Sequence, residues 1–184
     1  MKTSSIILLA KTEKAQQYIF GAYKDNGEAT GFVKLPEDHK MFLETLRNQQ
    51  TIMGVKTLEA TPKDFPDAGR ICVSHHPDKV RPDAIGVNSI SKGMDIASKR
   101  AVKAGKSKVF VIGGASIIRQ CLQQNLLDEI KLTLAYGHVE KVPHPVYLNF
   151  DIARWKVKEK SGILVSENSQ PKNLRYQYYT LERK

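Results

Sequence analysis

The residues best able to do chemistry in this chain stand at two strand-to-helix junctions and at one helix start. Gly113-Gly114-Ala115-Ser116 follows the most strand-like run in the sequence, Val109-Phe110-Val111-Ile112, and opens a helix carrying Ile117, Ile118, Cys121 and Leu122. Backbone N–H groups at a helix N-terminus form an anion site where small side chains permit close approach, so a phosphate fits there. A glycine pair also serves tight turns, and no full GxGxxG pattern is present. Gly54-Val55-Lys56-Thr57 repeats the arrangement with a glycine, a cation and a hydroxyl. Two such junctions suit a dinucleotide, whose phosphates need more than one anchor. The other reading of Lys56 is surface solubility. Third, Asp38 has apolar Phe42 and Leu46 at i+4 and i+8. If buried and ionised it must be paired, which would suit a cationic or proton-donating ligand. An acid in the first helical turn is equally stabilised by the helix dipole with no ligand, and spacing alone favours that second reading.

The elements that must position these residues follow from pattern. Ile6 to Ala10 reads as a fully buried strand. The polar segment Lys11 to Lys34, with Gly21, Gly27 and Gly31, reads as a long loop, and long loops in small domains often serve function. Pro36 opens a helix through Met41, Phe42, Thr45 and Leu46. Thr51 to Met53 is a short strand ending at Gly54, and a brief helix from Lys56 to Glu59 is curtailed by Pro62. Strands recur at Arg70 to Ser74 and Ala84 to Val87. A helix over Ser91 to Ala104 has Met94, Ile96, Ala97 and Ala101 on its apolar side. Further strands fall near Ile130 to Ala135, Lys156 to Lys158 and Arg175 to Leu181. Alternating strands and helices imply a mostly parallel central sheet of about eight strands, with helices on both faces and an antiparallel C-terminal edge.

Length and composition bound the function. The 184 residues suit a single α/β domain spanning 1–184, and 41% hydrophobic with 26% charged residues is ordinary globular composition. The apolar run Ile6 to Ala10 is too short for a signal peptide or a membrane span, so a soluble, cytoplasmic protein is expected. Cys72 and Cys121 lack metal-type spacing and read as small core residues; no metal is expected. A net charge of +10 fits either a nucleic-acid binder or a field that attracts anionic small molecules. Its densest part, Lys92, Lys99, Arg100, Lys103, Lys106 and Lys108, reads as a solvated helix face, and no aromatic residues interleave with it to stack bases.

Taken in order, Leu35-Pro36-Glu37-Asp38 with Phe42, Thr51 to Glu59, Val109 to Ile117, Leu132-Thr133, and Tyr176-Gln177-Tyr178-Tyr179-Thr180-Leu181-Glu182-Arg183 resemble the dihydrofolate reductases across nearly the whole chain. The resemblance implies a dihydrofolate reductase-like fold and NADPH-dependent reduction of 7,8-dihydrofolate to 5,6,7,8-tetrahydrofolate. It makes Asp38 the buried carboxylate that grips the pterin and promotes protonation at N5. Leu8, Ala10, Phe42, Ile112 and Thr133 would join it around the substrate, with Arg70 pairing with the glutamate carboxylate. On the cofactor side it implies Ala10, Phe20, Gly54, Lys56, Thr57, Ser74, His75, Ile112, Gly113, Gly114, Ala115, Ser116 and Ile117, with a cis peptide between the paired glycines. Ser74 and His75 would read the adenosine 2′-phosphate; His75 equally fits a solvent-facing turn.

The chain departs from the family between Gly21 and Leu35. There Ala22 to Lys34 is several residues longer than the family's lid, and Phe32-Val33-Lys34 stands in place of a Pro-Trp pair. Val139 to Tyr147 also fits the family poorly. A monomer is expected. Two other functions stay open: a related reductase of another heterocycle, such as the pyrimidine reductase of riboflavin synthesis, and a non-catalytic binder of nucleotide or nucleic acid.

Overall fold

The computed structural model describes residues 1–14, 16–136 and 142–184. Along the chain run β1 (Lys2–Lys11), β2 (Gln17–Tyr23), β3 (Ala29–Thr30), α1 (Pro36–Leu46), β4 (Gln50–Gly54) and α2 (Val55–Ala60). There follow β5 (Gly69–Val73), β6 (Ala84–Val87), α3 (Ile90–Lys103), β7 (Lys108–Gly113) and α4 (Ala115–Gln123). The last strands are β8 (Glu129–Tyr136), β9 (Pro145–Asn149), β10 (Trp155–Lys160), β11 (Leu164–Ser166) and β12 (Leu174–Arg183). The chain divides into two compact units, one of Met1–Ile6 with Phe42–Asp128, the other of Ile7–Met41 with Glu129–Lys184.

The first unit carries the parallel strands in the order β1, β7, β4, β5, β6. Their apolar runs are those of strands covered on both faces: Ile52, Ile71, Val109 and Val111 are wholly buried. α3 lies against this sheet through Ile90, Gly93, Ala97 and Ala101. Gly93, rather than the expected Met94 and Ile96, is the closest point, because a Cβ there would come within 3.3 Å of Ile71. Lys92, Lys99, Arg100 and Lys103 are exposed, as a solvated face requires, whereas Lys106 and Lys108 lie beyond the helix and are half-buried. Cys72 and Cys121 are buried free thiols.

Gly86 in β6 is a second close approach, here of backbone on backbone. A Cβ there would meet the Pro77 carbonyl oxygen at 2.0 Å, so Gly86→Ala must push the Pro77–Lys79 turn off the strand. The expected cost is about 1–3 kcal/mol, read as a lower midpoint in chemical denaturation.

The second unit is antiparallel. β8 pairs with β12, and β12 pairs in turn with β10 and β11. The end of β1 pairs with β2, which also holds β3 and β9. The segment Lys11 to Lys34 is therefore not a loop. Its polarity belongs to half-exposed strands that pair with β1, with each other and with the distant β9, while Tyr18 and Ala22 supply the buried positions. The tip closes where the Lys24 N–H bonds the Glu28 carbonyl at 2.9 Å, with Gly27 at φ +81°. β9 and β11 likewise escape the sequence pattern. Of the stretch Val139 to Tyr147, residues 139–141 lie outside the described residues. No described helix is long and apolar enough to cross a membrane.

Candidate functional site

Asp38 is the third residue of α1, which Pro36 starts and Glu37 and Asp38 favour electrostatically. Its carboxylate does more than complement a dipole: it accepts a hydrogen bond from the Thr133 hydroxyl, 95 positions away on β8. Thr133 is wholly buried. Desolvation raises the pKa of Asp38 above the ordinary carboxylate value, against the smaller opposing effects of the Thr133 bond and of His39. The structure thus brings together the two residues expected at the pterin end, and burial of one of them favours its acid form.

Around this pair lies an apolar cluster of Ala10, Leu35, Ala135, Leu174 and Tyr176, against which Leu8, Phe32, Val33 and Tyr178 pack. Phe32 and Val33, which the resemblance sets in place of a Pro-Trp pair, fill this wall. The Lys34 N–H and the Gln170 carbonyl join at 2.9 Å to hold it. Trp155 sits elsewhere, its ring 6.2 Å from that of Phe150. Two tyrosines of the closing motif, Tyr176 and Tyr178, stand on β12. Tyr178 lies opposite Thr133 in the strand register and meets Tyr176 edge-on at 5.3 Å. Burial is the main cause that raises the Tyr178 pKa, and negative charge at Asp38 adds to it. Glu37, beside Asp38, accepts hydrogen bonds from Ser166 at 2.8 and 3.0 Å. Strand alternation would have put Tyr176, Tyr178 and Thr180 on one face; it could not show which helix they face.

The glycine junctions lie in the first unit. β7, β4 and β5 are adjacent and parallel, with Met53 in register with Gly113 and Gly54 with Val73. Gly54, Ser74 and Gly113-Gly114 accordingly share the carboxyl edge of one sheet, where parallel α/β sheets bind ligands. Gly54 precedes α2 and Gly114 precedes α4. A Cβ on Gly54 would stand 3.2 Å from Ile117 and 3.7 Å from the Gly114 nitrogen, and one on Gly114 would stand 3.3 Å from the Thr57 hydroxyl. The two turns therefore touch, and only hydrogen on their α-carbons lets them. The Gly113–Gly114 peptide is cis. Lys56 and His75 are exposed at this edge, as is Ser116, whose hydroxyl accepts from Gln120 at 3.2 Å. The Ser74 hydroxyl accepts from the His76 N–H at 3.0 Å. Ala115 and Ile117 begin α4.

Phe42 and Ile112 pack in this unit's core with Ile6, Met53, Leu58 and Phe110. Ala10 is wholly buried on β1, and Phe20 is half-buried on β2. Arg70 does not stand ready for a ligand carboxylate. It is 6% exposed, and its guanidinium bonds Asp67, Asp83 and the carbonyls of Lys63 and Phe65. The resemblance gave Arg70 to a ligand carboxylate, whereas the acids three and thirteen positions away take its donors.

Comparison with known proteins bears on the whole of this arrangement. The chain is 28% identical to the dihydrofolate reductase of Bacillus subtilis (strain 168) over 123 residues, which cover 67% of each protein. It is 28% identical to a putative dihydrofolate reductase of Caenorhabditis elegans over 148 residues, covering 74% of this chain and 77% of that one. A match at 26% identity to bifunctional dihydrofolate reductase-thymidylate synthase 2 of Arabidopsis thaliana covers 70% of this chain but only 26% of that longer protein. In three dimensions the chain resembles dihydrofolate reductase from Enterococcus faecalis complexed with NADP(H) and RAB-propyl. The TM-score is 0.77 at 17% identity, over 100% of this chain and 96% of that one, which is a likeness of fold. The dihydrofolate reductase family model matches residues 27–183, a span that runs from the β2–β3 turn through Asp38, both glycine junctions and Thr133 to the end of β12, and the chain belongs to that family.

Proposed function

We propose that residues 1–184 act as one reductase domain that reduces 7,8-dihydrofolate to 5,6,7,8-tetrahydrofolate with NADPH. The observation that carries this reading is the Asp38 carboxylate, desolvated and bonded to buried Thr133. A carboxylate's two oxygens match the forked donors of a 2-aminopyrimidine, and the Thr133 bond fixes the plane in which they are offered. Desolvation raises the pKa of Asp38, and a carboxyl so placed can share a proton with the pterin that accepts hydride. Leu8, Ala10, Phe42 and Ile112 complete the substrate set that the resemblance implies. The family membership and the similarity to reductases of several organisms support the same activity.

The first unit fits the cofactor by its contacts: a cradle that any side chain at Gly54 or Gly114 would partly fill, at the start of α4. Gly54, Lys56, Thr57 and Gly113 to Ile117 would hold the pyrophosphate and ribose, and Ser74 with His75 the 2′-phosphate. Ala10 and Phe20 complete the proposed set. When bound, NADPH supplies the hydride delivered to C6 of the pterin. The protein's own part is positioning, exclusion of water and the carboxyl group offered at Asp38. A cytoplasmic monomer working without a metal belongs to the same proposal.

The test is the fall in NADPH absorbance on adding dihydrofolate. Steady turnover is expected; NADPH binding with no turnover would defeat the proposal. Gly54→Ala is expected to raise the NADPH dissociation constant roughly tenfold, about 1.4 kcal/mol, because the new methyl must displace Ile117 in the cradle. Fluorescence titration with NADPH checks it; unchanged affinity would remove Gly54 from the site.

A further inference from the structure

β12 brings two phenols to the Asp38 site, and the proposed reaction gives neither a task. In the strand register Tyr178 stands opposite Thr133 and Tyr176 opposite Ala135, so both rings share the sheet face from which Thr133 reaches Asp38. The rings meet edge-on at 5.3 Å and pack with Ala10 and Leu35. Tyr176 is buried and Tyr178 half-buried, so their hydroxyls need partners within the protein. They bond to each other. That bond opposes ionisation of Tyr178 and favours ionisation of Tyr176, which makes Tyr178 the donor and Tyr176 the acceptor.

Burial is the main cause that raises the pKa of both phenols, and negative charge at Asp38 and at Glu37 adds to it in both. Among the described residues, the groups around Asp38 that can change charge are therefore Glu37 and His39 on α1 and Tyr176 and Tyr178 on β12. Glu37 is tied to Ser166 of β11, and His39 has the smallest of the three effects on Asp38. A hydroxyl that has given its proton away offers its other neighbours lone pairs alone. Beside a carboxyl, such an oxygen favours the acid, which can donate, over the carboxylate, which cannot. We infer that Tyr178 is a positioning residue for the proposed reaction: with its proton committed to Tyr176, its oxygen faces Asp38 and biases that carboxyl toward the acid form. The consequence for turnover rests on the dihydrofolate reading above; the coupling of Tyr178 to Asp38 belongs to the free protein.

The experiment titrates the Asp38 carboxyl carbon by NMR in protein carrying isotope-labelled aspartate, with Asp38→Asn identifying its signal. Parent, Tyr178→Phe, Tyr176→Phe and the double variant are compared, since phenylalanine keeps each ring. Tyr178→Phe should lower the Asp38 midpoint by about 0.5 pH or more. Tyr176→Phe, which frees the Tyr178 proton to be donated to Asp38, should lower it further. In the double variant the effect of Tyr176 should vanish, leaving the midpoint of Tyr178→Phe. The alkaline limb of kcat/KM for dihydrofolate should move with these midpoints. A Tyr178→Phe midpoint higher than the parent's or within about 0.2 pH of it, or an effect of Tyr176 that persists without Tyr178, would overturn the inference. Should Tyr176→Phe not fold, the half-exposed Tyr178 alone decides through its own variant. Midpoints that move as expected in a chain that turns over no dihydrofolate would count against the proposed reaction and support the coupling.

Discussion

Asp38→Asn is expected to lower kcat/KM for dihydrofolate by roughly 10²–10³-fold and, at the same time, to make the protein more stable at neutral pH. The loss of activity follows from the proposed chemistry: asparagine keeps an oxygen for the Thr133 hydroxyl but carries no charge for the pterin and no proton to share. The gain in stability follows from the direction of the pKa shift. Desolvation raises the Asp38 pKa in the folded chain, so between the ordinary aspartate value and the raised one the native state binds more protons than the unfolded state. Stability contributed by this site is therefore intact below the ordinary value, declines as pH rises through that window, and stays reduced above it. Asparagine has no such dependence. Thermal melts of the two proteins should coincide at acid pH and diverge in favour of the variant toward neutrality. A variant less stable than its parent at neutral pH would mean that the carboxylate is held ionised by a partner, contrary to the geometry. In kinetics, the parent's activity should fall as pH rises through the Asp38 pKa, and that limb should vanish in the variant.

How far the sequence led depends on the range over which each feature is decided. The glycine junctions were legible because their cause is local. A strand that ends in Gly113-Gly114 or Gly54 and opens a helix announces close backbone approach in the sequence itself, and the contacts with Ile117 and Thr57 bear out that approach. α3 and its solvated face were legible for the same reason, since a helix carries its pattern within a few turns. Asp38 was not decided by spacing, because the dipole and a ligand make the same demand on a first-turn acid. Its bond to Thr133 belongs to tertiary structure, and only family resemblance pointed there.

Two misreadings have one physical source. Lys11 to Lys34 looked like a loop since an antiparallel strand with a wet face needs few apolar residues, and β2 owes its existence to β1 and β9 rather than to its own composition. The role of Arg70 was taken from the resemblance, although what an arginine can do is set by the acids that the fold brings to it. A buried Asp67 three residues earlier was in view, but nothing in one dimension distinguishes a clasp from a spare carboxylate.

That clasp carries the second large expectation. Arg70→Met should destabilise the protein by about 3–5 kcal/mol, because it keeps the hydrophobic stem but leaves Asp67 charged and buried with the Thr51 hydroxyl as its remaining side-chain donor. For a chain of this size that corresponds to a fall in Tm of roughly 6–20 °C. Asp83 is held by Arg81 as well and suffers less. The comparison that isolates the cause is Asp67→Leu/Arg70→Met. Removing both buried charges should restore most of the stability that the single substitution loses, since apolar replacements of a buried pair are often neutral. Failure of the second substitution to rescue would assign the loss to the carbonyls of Lys63 and Phe65, which Arg70 also ties down. Measured at a temperature where Arg70→Met remains folded, KM for dihydrofolate should stay within about threefold of the parent. A structural clasp lowers the melting point and spares KM, whereas a ligand-binding arginine does the reverse.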